Sequence, residues 1–381
     1  MAQVPIMFHE ATPDNLKAYY SPFDQVNFTL TNDGRSLQVG SLRIEGRWAV
    51  EQGGEAFGAS NTSYDDLVYY DRFVGAHAVV EQITVEAGGQ TLESIPNYPR
   101  LVKSLVTGSE SQSTMFNSYN VCELKTAGDE LARQNLMGDV LPGAVTGGAA
   151  IPEIQRHNPD FSFRPVCVLN GGMGAIPYRR SGDVRVSINL ARVADALFGP
   201  NMVAGTAYTL TELRVTWRSI PDDGSDQPVS LTRYLGVKQS IQSGNAALQL
   251  RVPAVCSAMW MTFLPQADEG QLIPNVTACH RPPQVSRVQF LFSDATNRLI
   301  TYMLRTELEI LEKYVDALNN GSETSAVTLR NVKNSETYGM GLSFDGEIDL
   351  NRSKLSVIIE SGITNNNPMV AFSFFKSSLM V

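Results

Sequence analysis

The sequence has no apolar run near the roughly 18 residues that span a bilayer as a helix. Its opening, MAQVPIMFHEATPDNLKAYY, has neither the basic start nor the apolar stretch of a secretion signal. The expectation is a chain that folds where it is made. Positive charge is scarce: 30 Lys and Arg stand against 39 Asp and Glu, a formal net charge of −9. Phosphate-neutralising surfaces need clustered basic residues, and no strong cluster occurs, so a sequence-specific nucleic-acid partner is not expected. Cysteine is sparse too. Cys122, Cys167, Cys256 and Cys279 form no CxxC, and Cys279-His280 has no second pair at metal-ligand spacing. Cys167 in PVCVLN and Cys256 in PAVCSAMW sit in apolar, strand-like runs and read as small buried hydrophobes.

His9, His77, His157 and His280 share no metal-binding spacing, and no Ser or Cys stands in a nucleophile elbow. No catalytic residue, cofactor or metal is therefore assigned. Four Asn-x-Ser/Thr sequons, beginning at Asn27, Asn61, Asn275 and Asn320, read as chance matches without a secretion signal.

What the chain has is period-two alternation with many β-branched residues. DQVNFTLT (24–31) places Val26, Phe28 and Leu30 on one face, and SLQVGSLRIEGRWAV (36–50) and LVYYDRFVG (67–75) are further strand candidates. VVEQITVEAGGQTLESI (79–95) predicts a hairpin about Gly88-Gly89, a pair able to take the positive φ of tight turns. PNYPRLVKSLVTG (96–108) follows as a helix, with Pro99 at its start, Gly108 at its end and Leu101, Val102, Leu105 and Val106 in one stripe. Residues 109–160 lose periodicity and are long for a loop, with one short helix expected at 128–137. Strands return at 161–170, 183–191 and 206–220, before PDDGSDQP (221–228), the best linker in the chain.

The pattern then begins again. Strands are expected at 229–241, 246–255 and 256–264, then a Pro-rich loop over 265–284. VSRVQFLF, the turn SDATN and RLITYML form a second hairpin, followed at once by the helix RTELEILEKYVDALNN. Its inward face is expected to be Leu304, Leu308, Leu311, Val315 and Leu318, opposite Glu309, Glu312, Lys313 and Asp316. Strands at 338–344, 354–361 and 369–377 close the chain. Residues 79–108 and 285–321 thus correspond, and the chain reads as two copies of one architecture.

Three motifs invite a chemical reading. NGGMGAIPY (170–178) faintly resembles a phosphate cradle, yet it leads into Pro177 and a polar turn rather than a helix N-terminus, so a plain turn is the better reading. FDGEIDL would align Asp345, Glu347 and Asp349 if extended, able to hold a cation or supply an acid/base pair. Solvated carboxylates in a turn, paired to Arg352 or another subunit, are the simpler account. Tyr178-Arg179-Arg180 reads as an exposed loop.

Eight strands per unit in two packed sheets is the jelly-roll count. The expected fold is all-β: two tandem eight-stranded antiparallel jelly rolls, each with a helix after the sixth strand. The expected boundaries are an arm over 1–23, a first jelly roll over 24–220, a linker over 221–228 and a second jelly roll over 229–381. On this architecture, and on RVQFLFSDATNRLITYML with YGMGLSFDGEIDLNRSKLSVIIESGITNNNPMVAFSFFKSSLMV, the chain resembles the double jelly-roll major capsid proteins of icosahedral DNA viruses. Those of tectiviruses, adenoviruses, virophages and large DNA viruses share this architecture. The resemblance implies homotrimeric, pseudo-hexameric capsomers in a virion shell assembled inside the host cell. It implies as partners the chain itself, neighbouring capsomers, penton and minor capsid proteins, with an internal membrane as a further candidate. Loops 109–160 and 265–284 would form outer towers. Met259, Trp260, Phe374 and Phe375 suit core and interface equally. The alternatives are a two-domain β-sandwich carbohydrate-active enzyme, disfavoured by only three unclustered tryptophans, and a spike or vertex protein.

Overall fold

The computed structural model describes residues 6–31, 33–52, 55–56, 70–71, 73–109, 122–124, 160–199, 202, 205–224, 228–293, 299–319 and 337–381. In the N-terminal half the principal strands are β1 (Met7–Ala11), β2 (Gln25–Leu30), β4 (Arg43–Gln52), β6 (Val80–Ala87), β7 (Gln90–Pro96), β8 (Asp160–Phe163), β10 (Val184–Leu190) and β11 (Thr206–Ile220). Short β3 (Ser36–Gln38), β5 (Glu55–Ala56) and β9 (Ala175–Pro177) extend the margins of one sheet. In the C-terminal half they are β12 (Ser230–Ile241), β13 (Asn245–Leu250), β14 (Val255–Pro265), β15 (Arg287–Ser293), β16 (Leu299–Leu304), β17 (Met340–Asp349), β18 (Leu355–Glu360) and β19 (Met369–Met380).

These strands make four antiparallel sheets, β1-β11-β4-β8 and β2-β10-β6-β7, then β12-β19-β14-β17 and β13-β18-β15-β16. Numbering the principal strands of each half from one to eight in chain order, both halves read 1-8-3-6 and 2-7-4-5. The repeated architecture expected from the sequence is thus a repeated topology.

Local chemistry explains the elements. Val26, Phe28 and Leu30 are fully buried on one face of β2, as alternation dictates. Gly88 (φ 57°) and Gly89 (φ 76°) turn the β6–β7 hairpin. Helix α1 (Tyr98–Ser109) follows within two residues, and helix α2 (Glu307–Asn319) follows β16 in the same way. Thr306 and Glu309 form a capping box at the start of α2: Glu309 N–H donates to Thr306 Oγ1 at 3.2 Å, and Thr306 N–H to Glu309 Oε2 at 3.1 Å.

The structure corrects several expectations. Each helix follows the fifth principal strand of its half, not the sixth. Residues 7–11, assigned to an arm, are β1, paired with β11 from Met7↔Ser219 to Ala11↔Val215. The described part of 67–75 is not a strand. It leads into a 3-10 turn at Gly75–Val79, where Gly75 (φ 57°) leaves no room for a Cβ beside the Glu123 carbonyl oxygen, 2.1 Å away. The strand expected over 161–170 ends at Phe163, and Val168–Asn170 form a 3-10 turn. The helix expected at 128–137 and nearly all of 109–160 lie outside the described residues.

Helix α2 is also rotated from its expected face. Ile310, Tyr314, Ala317 and Leu318 are buried, whereas Leu308 is 64% exposed; Leu311 and Val315 are half-buried. The cause lies in the strand beneath. A Cβ on Gly339 would come within 2.3 Å of the Tyr314 ring, and one on Gly341 within 2.9 Å of Ala317 Cβ. The two glycines of YGMG make a shallow seat that only this face of α2 fits. Tyr314→Ala should cost about 3–5 kcal/mol, as emptying a large aromatic core site does, and Gly339→Ala about 1–3 kcal/mol by overpacking. In the double variant the second cost should largely vanish, because losing the Tyr314 ring vacates the space. Urea unfolding of the four-member cycle measures this coupling, and additive costs would refute the seat.

Candidate functional site

Among the described residues no cluster of three or more His, Cys, Asp or Glu could hold a metal ion. The sequence candidates resolve individually. Glu347 is exposed and Asp349 half-buried at the end of β17. Asp349 accepts from Asn351 N–H at 2.9 Å and lies 3.5 Å from Arg352 Nε. Asp345 and Glu347 thus lie within strand β17, where a turn was the simpler expectation, and Asp349 at the strand's end makes the local ion pair; the side chain of Asp345 lies outside what is described. Arg179 pairs with Asp222 at 2.8 Å and ties its helical turn to the linker. Cys167, Cys256 and Cys279 are buried free thiols and Cys122 is exposed. Burial pushes the Cys256 thiol up to about 12 and raises Cys167 and Cys279 as well. His77 is buried, with Nδ1 2.9 Å from Tyr98 Oη and Nε2 3.4 Å from Glu123 Oε2. His9 stacks on Trp217 at 5.1 Å. Burial lowers the pKa of His280, and His157 lies outside the described residues. Trp48, Trp217 and Trp260 are all buried, so none can serve as a glycan platform.

What the residues build instead is a seam between the two sandwiches. β14 (VCSAMWMTFLP) and β19 (MVAFSFFKSSLM) are nearly continuous apolar runs, the pattern of strands covered on both faces. Along β14 the side chains alternate between two cores. Met259, Met261 and Phe263 join Ala371 and Phe375 inside the second sandwich. Trp260 and Leu264 join Val370, Phe372 and Phe374 in the core shared with the first half. The four residues that suited core and interface equally therefore divide: Met259 and Phe375 inward, Trp260 and Phe374 into the seam. Tyr234 meets Trp260 edge-on at 6.1 Å, and Phe374 completes the aromatic group at 6.1 Å.

NGGMG belongs to the same seam. Thr232 N–H of β12 donates to the Gly171 carbonyl at 2.5 Å, and Gly172 bridges Leu231. A Cβ on Gly171 would sit 2.0 Å from the Thr232 carbonyl oxygen. The glycines let two backbones touch and hold no phosphate cradle.

Helix α1 is buried almost all round, polar residues included. Lys103 Nζ donates to Asp71 Oδ2 at 2.5 Å, and Asn275 Nδ2 and Thr277 Oγ1, from the other half, each donate to the same oxygen at 2.8 Å. Burial alone would raise Asp71; the Lys103 ammonium and these hydrogen bonds override it and hold the carboxyl near 2. Asn275, a sequon by sequence, is thus a seam residue. Arg100 donates to the Val276 carbonyl and stacks 4.1 Å above the Phe372 ring. Glu93 on β7 spans the seam, accepting Val168 N–H and Tyr234 N–H at 2.6 Å each. Burial outweighs those donors and pushes Glu93 up to about 8. Beside the seam lies a cleft of about 310 Å³ lined by Glu81, Arg100, Arg192, Asp195, Lys238 and Glu269 among others. Its charges pair off as Arg192 with Asp195 and Lys238 with Glu269. Glu81 is pushed up to about 7, chiefly by burial and then by Asp195.

Of the seam residues only Trp260, Phe374, Gly171, Gly172 and Asn275 stand out in the sequence, and none of them there as a contact between the two halves. Unbroken apolar strands were the available signal; pairs such as Asp71–Lys103 and Glu93–Tyr234 leave none.

No protein-family model matches the sequence, and no curated protein matches it. Solved structures do. A Faustovirus major capsid protein matches with TM-score 0.55 and 10% identity, covering 100% of this chain and 91% of that one. A chain of the PBCV-1 virus capsid matches with TM-score 0.58 and 10% identity, covering 100% and 95%. A chain from the Sputnik virophage matches with TM-score 0.56 and 8% identity, covering 100% and 87%. The fold is the double jelly roll, shared over the whole chain at identities that speak to fold alone.

Asp71→Asn should cost about 3–5 kcal/mol, because it leaves the Lys103 ammonium buried without its counter-charge; Asp71→Asn with Lys103→Met should recover much of that loss in chemical denaturation. Glu93 gives a pH dependence of definite sign. Its folded pKa, about 8, exceeds its ordinary 4.5, so the folded state binds the extra proton between these values. Its contribution is full below about 4.5 and is lost as pH rises to about 8. Thermal melts of the wild type should fall over that window relative to those of Glu93→Gln, and parallel profiles would refute the assignment.

Proposed function

We propose that the chain is a major capsid protein that assembles as a homotrimer with a pseudo-hexagonal outline, the trimers tiling an icosahedral shell. The observation that carries this reading is the twice-repeated strand order 1-8-3-6 and 2-7-4-5, locked together by a buried seam. One chain then supplies two like blocks at a fixed angle, and three chains supply six. The whole-chain likeness to viral capsid chains supports the same reading.

The proposed units are 24–220, extended by β1, and 229–381, joined through 221–228. The proposed place is the virion, with the shell assembled inside the host cell. Neighbouring capsomers, penton and minor capsid proteins are the proposed partners, with an internal membrane a further candidate, and loops 109–160 and 265–284 the proposed towers. A structural rather than enzymatic role accords with the burial of all three tryptophans and with the local pairing of Asp349.

Native mass decides the reading. The purified chain should run near three times 41.7 kDa, about 125 kDa, and its negatively stained particles should be hexagonal in outline. A stable monomer with glycan affinity would sink the proposal.

A further inference from the structure

We propose that the cleft beside the seam binds an organic cation, an ammonium or guanidinium group on a short apolar stem, with Glu81 accepting the charge and the Phe23 ring walling the stem. The cleft lies within one chain, so the proposal stands apart from the capsid reading.

The backbone goes out of its way to bring Glu81 there. Ile83 and Val85 are buried on one face of β6, and plain alternation would send Glu81 into the same core. A bulge prevents this. β10 pairs Asn189 with Gln82 and then Leu190 with Val80, passing over Glu81. Val80 takes the inward place, fully buried, and Glu81 lines the cleft. Re-aiming one side chain is what a bulge does at the expense of regular pairing.

Of the six charged groups that line the cleft, five are engaged. Arg192 pairs with Asp195 and Lys238 with Glu269. Arg100 donates to the Val276 carbonyl and, at 3.4 Å, to that of Ala278, with its plane over the Phe372 ring. Glu81 makes no hydrogen bond or ion pair among the described residues. Burial and the neighbouring Asp195 both work against its ionisation. A cation brought to this carboxyl relieves both penalties. An anion would find the cleft's cations already taken.

Phe23 supplies an independent sign. It stands at the rim with φ 70°, a backbone region unfavourable to a bulky side chain, and it is 78% exposed. The turn is fixed by Ser21 N–H, which donates to Asp24 Oδ2 at 2.9 Å, and by Phe23 N–H, which donates to the Leu190 carbonyl at 3.2 Å. Strain and aromatic exposure thus coincide in one residue beside the one carboxylate without a partner, the kind of outlier that marks a site. Leu190, Leu264 and Val276 continue the apolar wall. A volume of about 310 Å³ is at the small end of ligand clefts, room for a group the size of one basic side chain. A free amine and a Lys or Arg side chain of another protein share this chemistry.

Calorimetry on the full chain tests the site with n-butylammonium, agmatine and the blocked peptide acetyl-Gly-Lys-Gly-amide. All three carry the required group. At least one should bind at about pH 8 and weaken about tenfold per pH unit below about 7, as Glu81 takes up its proton. Glu81→Gln should weaken binding about tenfold or more and flatten that profile. Asp195, Arg192, Lys238 and Arg100, the charges facing Glu81, are intact in this variant, so a slope that vanishes belongs to Glu81. Phe23→Gly suits the positive φ and should leave the melting temperature unchanged or higher. It should nonetheless weaken n-butylammonium and spare methylammonium, which has no stem. Preference for agmatine over the peptide identifies a free amine as the ligand; the reverse preference identifies a protein side chain. Failure of all three probes to bind, unchanged binding in either variant, or tighter binding of n-butyrate overturns the proposal, and none of these bears on the trimer mass.

Discussion

The sheet β12-β19-β14-β17 must be buried on both faces, and most of the remaining architecture follows from that requirement. Its two central strands alternate apolar residues toward opposite cores, so neither face can meet water. Trp260, Phe372 and Phe374 alone bring several hundred Å² of apolar surface to the seam, worth on the order of 10 kcal/mol before ordering costs. A second sandwich without the first would expose one contiguous apolar patch, the mark of an interaction surface or an aggregation hazard. The two halves are alike in topology but unequal in dependence: the first supplies cover and the second requires it.

Covering an apolar sheet sets no register by itself, because the hydrophobic effect has no direction. The buried polar groups supply the direction. Asp71 is held by Lys103 of α1 and by Asn275 and Thr277 of the other half, and Glu93 clasps backbone N–H groups from both halves. Such groups pay heavily for leaving water, and a buried ion pair adds little net stability. Their geometry is nonetheless met by only one docking of the sandwiches. Trp260 Nε1 and Ser373 Oγ, buried without a partner, cost about 1–3 kcal/mol each, which the packing around them must outweigh. A rigid angle between two blocks is the property a lattice-forming unit needs, and here it arises from apolar drive with polar register.

How much of this the sequence disclosed follows from the range of each interaction. The β6–β7 hairpin and α1 were legible because Gly88-Gly89, Pro99 and the apolar stripe act within a dozen residues. β1 was missed because Met7–Ala11 is five residues long with Glu10 and His9 among its members, and only its pairing with β11, some two hundred residues away, makes it a strand. The face of α2 was misjudged for a similar reason. Leucines at 304, 308, 311 and 318, with Val315, would otherwise make a sound stripe, but Gly339 and Gly341 decide which side fits, and nothing within the helix records them. The capping box Thr306–Glu309 could have been read locally and would have fixed where α2 begins. The seam itself showed only as strands too apolar to alternate, and the polar pairs within it carry no sequence signature because they join segments with no local relation.

The proposed ring would join its blocks in two ways, within a chain and between chains, and a physical reason separates their compositions. Within the chain the seam is assembled from tethered partners, so its faces are never offered to solvent as separate molecules, and it can be as apolar as Trp260, Phe372 and Phe374 make it. Between chains the joining surfaces must first survive as the surface of a free subunit. The outer face of the β1-β11-β4-β8 sheet accordingly carries a ladder of charges, Arg47 with Asp160 at 2.6 Å and Arg214 with Glu45 at 2.8 Å, where its counterpart in the second sandwich carries aromatics. Exposed large apolar side chains among the described residues are scattered, half of them at the edges β1 and β16 and the start of α2 and the rest elsewhere, a few at each place. A subunit built this way stays dispersed while alone, because a single small contact does not meet the entropic cost of association. Closure of a ring makes each such contact depend on the others. Duplication would supply the geometry of the proposed six-block ring, and an in-chain seam more apolar than the outer faces would separate folding from assembly.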